Sequence, residues 1–140
     1  MNDPFDLDRF VRAQASDYPR ALEEIRSGRK RSHWMWYVFP QFAGLGHSPM
    51  SERYAIKSLA EARAYLEHPI LSSRLTEISE ALLHLKGHSA HDVLGSPDDL
   101  KLKSSATLFA MVSAEGSVFH RLIDMYFKGS RDEKTIQLAG

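Results

Sequence analysis

Six consecutive residues, Trp34-Met35-Trp36-Tyr37-Val38-Phe39, constrain this chain more than any other stretch. They hold both tryptophans and four of the aromatic side chains, in a chain with seven Phe, five Tyr and two Trp. A continuous apolar run has no amphipathic period, so it belongs in the interior as a short helical turn or an extended segment. A lone strand would need a partner, and no second strand-like run exists. A short helical turn or an extended segment threaded through the core is the expectation. Three cations, Arg29, Lys30 and Arg31, then Ser32 and His33, lead into the run. Pro40 breaks it, and the chain leaves through Gln41, Phe42, Gly44 and Gly46.

Start and stop signals predict helices on either side. Asp3 or Asp6 can accept the first free amides of a helix whose apolar positions are Leu7, Phe10, Val11 and Ala13. Proline lacks an amide proton and disfavours helix at the residue before it, so Tyr18-Pro19 predicts a break. A second helix then runs through Ala21, Leu22 and Ile25 and stops at Gly28. Ser48-Pro49 reads as cap and first-turn proline, and Ser58 with Glu61 as a capping box, so two helices are expected to meet near Lys57. His68-Pro69 opens a helix with a clear stripe of Ile70, Leu71, Leu75, Ile78, Leu82 and Leu85, ended by Gly87. Ser89 to Leu94 is a short turn. Ser96-Pro97-Asp98-Asp99 reads as a cap, a proline and two carboxylates at a positive helix end. The helix after it places Leu100, Ser104, Leu108 and Met111 on one face. Ser117 caps another helix through Tyr126, Ser130 with Glu133 forms a last capping box, and the tail beyond Ile136 is expected to fray. The fold class is all-α: a single compact domain over residues 1–140, of about seven helices.

Composition narrows the function classes. A chain of 140 residues fits one domain with a core that needs no staples. Eighteen basic residues balance eighteen acidic ones. That balance argues against nucleic-acid binding, which favours a basic excess. There is no cysteine, which excludes disulfides and thiolate chemistry and suits a reducing cytoplasm. The N-terminus lacks the basic and apolar regions of a signal peptide, and no apolar run approaches the ~18 residues of a membrane span. The expectation is a cytoplasmic protein with no cofactor.

Phosphate-loop, dinucleotide-binding, zinc-protease and hydrolase-elbow motifs are all absent. His84, His88 and His91 have helical spacing, but Gly87 interrupts it and Ser89 reads as a cap, so no metal site is assigned. Trp34 and Trp36 beside Arg31 and His33 suggest more. Indole faces near guanidinium groups can hold a planar ring, with cations left for an anionic group. Equally, the indoles can be core anchors while the cations cover a negative helix end. Gln41 and the glycine-rich loop after it add a flexible edge. Lys103 and Ser104 can supply a cation and a hydroxyl, or Lys103 can simply pair with Asp99 four residues earlier. The candidate ligand-binding residues are thus Arg31, His33, Trp34, Trp36, Gln41, Lys103 and Ser104. The expected partner is a nucleotide-like small molecule. No catalytic residue is assigned; Asp99 and Glu52 are the carboxylates that could serve an N-glycoside hydrolysis. The alternative is a non-enzymatic protein-interaction module using the aromatic residues as anchors.

The runs SHWMWYVFPQ at 32–41, GLGHS at 44–48, YAIKS at 54–58, EARAYLEHPIL at 61–71 and DDLKLKSSATLF at 98–109 resemble an uncharacterised bacterial family. That family is known as a domain of unknown function and sometimes carries the label calpastatin. The resemblance covers about Phe5 to Tyr126 and implies a compact, mostly helical domain, without implying a reaction. The helical layout is also distantly similar to the NADAR group, which processes ADP-ribose-type and related N-glycosides. That similarity implies a nucleotide or glycoside site at the aromatic stretch. The group's tryptophan-glycine signature toward the C-terminal end is missing here, so no catalytic residue is carried across.

Overall fold

The computed structural model describes residues 2–140. Nine helices follow one another among these residues: α1 (Asp8–Arg26), α2 (Met35–Val38), α3 (Pro49–Arg53), α4 (Leu59–Glu67), α5 (Pro69–His84), α6 (Ala90–Leu94), α7 (Asp98–Ala110), α8 (Val118–Phe127) and α9 (Glu133–Ala139). The fold is therefore helical, as the sequence reading has it, with nine helices rather than about seven. The excess comes from one-turn pieces such as α2, α3 and α6. Among the described residues the one departure from helix is an isolated parallel bridge between Phe42 and Ile56. No described helix is long and apolar enough to cross a membrane.

Helix α7 lies at the centre, packed against α4, α6, α8 and α9. From Leu102 to Ala110 every residue but Lys103 is buried, so its pattern is apolar all round rather than one-sided. Its small polar side chains stay inside by bonding backward: the Ser104 and Thr107 hydroxyls donate to the carbonyls of Leu100 and Lys103, at 3.1 and 2.8 Å. Leu100, expected on the core face, is instead 58% exposed. Helix α5 packs on α1, α4 and α8 and buries Leu71, Leu75, Ile78 and Leu82, while Ile70 points outward.

The break expected at Pro19 does not occur, and α1 runs through it. Pro19 removes the bond to the Ala15 carbonyl, but both residues lie on the exposed side, where water can take that carbonyl. The opposite face anchors the helix with Phe10, Gln14, Tyr18, Ala21 and Ile25, all buried. Gly28 ends the helix as expected, at φ +87°. Its amide donates to Ile25 O at 2.9 Å and that of Arg29 to Glu24 O at 3.0 Å, closing a Schellman turn.

Most caps follow the sequence. Asp3 accepts the amides of Leu7 and Asp8; Ser48, Ser58, His68, Ser89 and Ser117 cap α3, α4, α5, α6 and α8. Two expected caps fail. Ser96 does not cap α7, because Pro97 occupies the cap position and no side chain bonds there. Ser130 is displaced by Asp132, whose carboxylate accepts the Thr135 amide at 3.1 Å and a bond from the Ser104 hydroxyl at 3.3 Å. The Thr107 hydroxyl in turn accepts the Asp132 amide at 2.9 Å. That tie to the central helix carries α9 on to Ala139, past the expected fraying point at Ile136.

Candidate functional site

The segment between α1 and α2 is shaped by one buried carboxylate. Glu24, on the last turn of α1, accepts the amides of Arg31 and Ser32 at 2.8 and 3.1 Å, the Ser32 hydroxyl at 2.7 Å and the Trp34 indole N–H at 2.9 Å. Burial alone would raise its pKa, but these donors outweigh burial and hold it at about 2. Glu24 therefore stays ionised and pins the chain from Arg31 to Trp34. Trp34 turns inward at 1% exposure and packs against Phe39, with ring centroids 6.4 Å apart. Two residues on, one helical turn of α2 leaves Trp36 half-buried at the surface.

Trp36 lies on the wall of an open hollow of about 380 Å³ between this segment and the start of α7. Lys30, Arg31, His33, Asp98 and Lys101 supply all its charged or titratable side chains. Asp98 ties the two sides together: its carboxylate meets Lys30 Nζ at 2.8 Å and Lys101 Nζ at 3.3 Å. The two lysines also lie over the indoles, Lys30 over Trp34 and Lys101 over Trp36, each 5.2 Å from the ring centroid. Arg31 and His33 are exposed at the rim, and Arg31 makes no ion pair among the described residues. Three cations against one carboxylate leave the hollow positive.

The sequence-predicted residues thus divide. Arg31, His33, Trp34 and Trp36 come together on this hollow, with Trp34 reaching it only by an edge. Gln41 lines a separate hollow of about 260 Å³, together with Glu52. Lys103 and Ser104 line neither: Ser104 is buried against Asp132, and Lys103 is half-buried farther along α7. The lysine that α7 does present to the hollow is Lys101, because residues two apart on a helix face different ways. Asp99 lies 3.8 Å from His91 Nδ1, outside the set lining the hollow. Glu24 and Asp98 are the residues that sequence reasoning missed. A lone glutamate on an amphipathic helix carries no signal of four-fold hydrogen bonding, whereas the Asp98–Lys101 spacing was there to be read as a pair. His84 ends α5 and His91 sits on α6, so the histidine spacing does not lie on one helix. Among the described residues no group of three His, Asp or Glu side chains is placed to hold a metal ion.

Comparison with known proteins gives a family without an activity. A conserved hypothetical protein from Mycobacterium tuberculosis, Rv1873, has a crystal structure similar to this chain, with 50% sequence identity over 98% of each chain and a TM-score of 0.96. The curated proteins include no significant match. Residues 4–139 match the family described as protein of unknown function DUF1810, and the chain belongs to that family.

Proposed function

We propose that the hollow beside Trp36 binds an anionic small molecule carrying a planar ring, of the nucleotide or ADP-ribose type. One observation carries this reading: a half-buried indole opens on a hollow whose charged side chains are three cations and one carboxylate. The ring of the ligand stacks on Trp36, and its anionic group meets Arg31 and Lys101. Lys30 and Asp98 are largely occupied with each other and serve as wall rather than as ligand contacts. The similarity to the NADAR group drawn from the sequence points to the same ligand class. A protein-docking role has less behind it, since the large apolar side chains left exposed, Ile70, Leu100, Met125 and Leu138, stand one to a helix. A chain without cysteine suits a reducing, cytoplasmic location.

Isothermal titration of the protein with ADP-ribose, AMP and ribose 5-phosphate tests the reading. The ring-bearing compounds are expected to bind at least about tenfold tighter than ribose 5-phosphate, the worth of one stacked ring. Equal affinity for all three would remove the ring from the account, and no heat from any of them would remove the site.

A further inference from the structure

The hollow beside Gln41 is built by different means and holds an unused set of polar groups. Its two walls are joined by the isolated bridge: the Ala43 amide donates to Ile56 O at 2.8 Å, and the Ile56 amide to Gln41 O at 2.9 Å. A largely buried ion pair fixes one wall. The Arg9 guanidinium donates to Arg53 O at 2.9 Å, to Ala55 O at 2.8 Å and to the Glu61 carboxylate at 2.8 Å. The other Glu61 oxygen accepts the Lys57 amide at 2.9 Å, so the backbone from Arg53 to Lys57 is held at both ends. The side chains of Arg9 and Glu61 are only 10% and 3% exposed, and breaking such a pair would strand a charge. The facing loop lies hard against α3, where a Cβ at Gly46 would stand 2.5 Å from Ser51 Oγ. The hollow is therefore preformed rather than assembled by its ligand.

Glu52, just before that frame, and Lys57, at its end, line this hollow, with the Gln41 amide and His47 beside them. None of the four side chains makes a hydrogen bond or an ion pair among the described residues; Glu52 and Lys57 carry opposite charges yet do not close on each other within 4.0 Å. A ligand of a single sign would satisfy one of these charges and be repelled by the other. A ligand with both signs satisfies both, and the amide of Gln41 offers it a donor and an acceptor. At about 260 Å³ the space lies just below the range of drug-sized sites. The geometry points to a second binding site, for a small zwitterion of the amino-acid type, with its ammonium on Glu52 and its carboxylate on Lys57. This site is independent of the Trp36 hollow and stands or falls without it.

Amide-resolved NMR of the intact chain, titrated separately with glycine, L-glutamine, L-glutamate and L-lysine, tests the assignment, with propionate and propylamine as single-charge controls. At least one amino acid is expected to shift the amides of Ala43, Gly44 and Lys57 saturably. Propionate and propylamine should act at least about tenfold more weakly, the effect of losing one charge-assisted bond. Glu52→Gln and Lys57→Gln, both exposed positions, are expected to keep the native spectrum elsewhere and to weaken the response by about tenfold or more. Flat titrations with all four amino acids would overturn the proposal. So would an equal response to propionate, or an undiminished response in both variants.

Discussion

Glu24 and the two tryptophans have separable roles, and each separation can be measured. A pKa of about 2, against an ordinary 4.5, means that ionised Glu24 favours the folded state. Its contribution is complete above the ordinary value and drains away as pH falls from about 4.5 toward 2, by up to about 3 kcal/mol. Denaturant melts at pH 7, 4 and 3 should show the midpoint falling through that window, with a smaller fall in Glu24→Gln. At pH 7 that variant should lose about 2–4 kcal/mol, since four donors, three of them backbone or indole N–H groups, lose their ionic acceptor. A variant as stable as the parent would mean that Glu24 does not hold the segment. Trp34→Ala should cost about 4 kcal/mol, because a side chain 1% exposed leaves a cavity behind. Trp36→Ala should cost only about 1–2 kcal/mol, as part of its surface is already in water. Thermal melts of the two variants side by side check that order.

Helix α1 tests how far tertiary packing overrides a local rule. A helix-interior proline is about 3 kcal/mol worse than alanine, offset by about 1 kcal/mol from a stiffer unfolded chain. Pro19→Ala should therefore stabilise the protein by about 2 kcal/mol, read as a higher melting temperature; a lower one would show that the proline shapes the helix. At the other end, Asp132→Ala should cost about 1–2 kcal/mol and speed hydrogen exchange across α9 first, because cap and tie to Ser104 go together. These elements also explain what the sequence could disclose. Ser48, Ser58, Ser89 and Ser117 were readable as caps because the acceptor and the amide it serves lie three residues apart. Asp132 was not, because its advantage over Ser130 comes from Thr107 and Ser104, far away in the chain. The amphipathic stripe of α5 was readable, whereas α7, buried on nearly every side, has no stripe to read.

For the molecule as a whole, the single helical domain was readable from spacing, and the site only in part. Arg31, His33, Trp34 and Trp36 are near neighbours in sequence, so one buried anchor, Glu24, suffices to bring them together. Gln41, Lys103 and Ser104 depended on the path of the chain after Pro40 and on the rotation of α7. Neither of those is written locally. The architecture instead sets Asp98 and Lys101 opposite Trp36, and it gives Gln41 a hollow of its own. Arg31→Ala, at an exposed position, should leave stability within about 0.5 kcal/mol while weakening the binding of an anionic ligand about tenfold. The decisive measurement is tryptophan emission during titration with ADP-ribose, for the parent protein and for Trp36→Ala. The parent should show a saturable change at or below millimolar ligand, and Trp36→Ala, still folded, should show none. No saturable change in the parent, or the same change in the variant, would contradict a ligand stacked on Trp36.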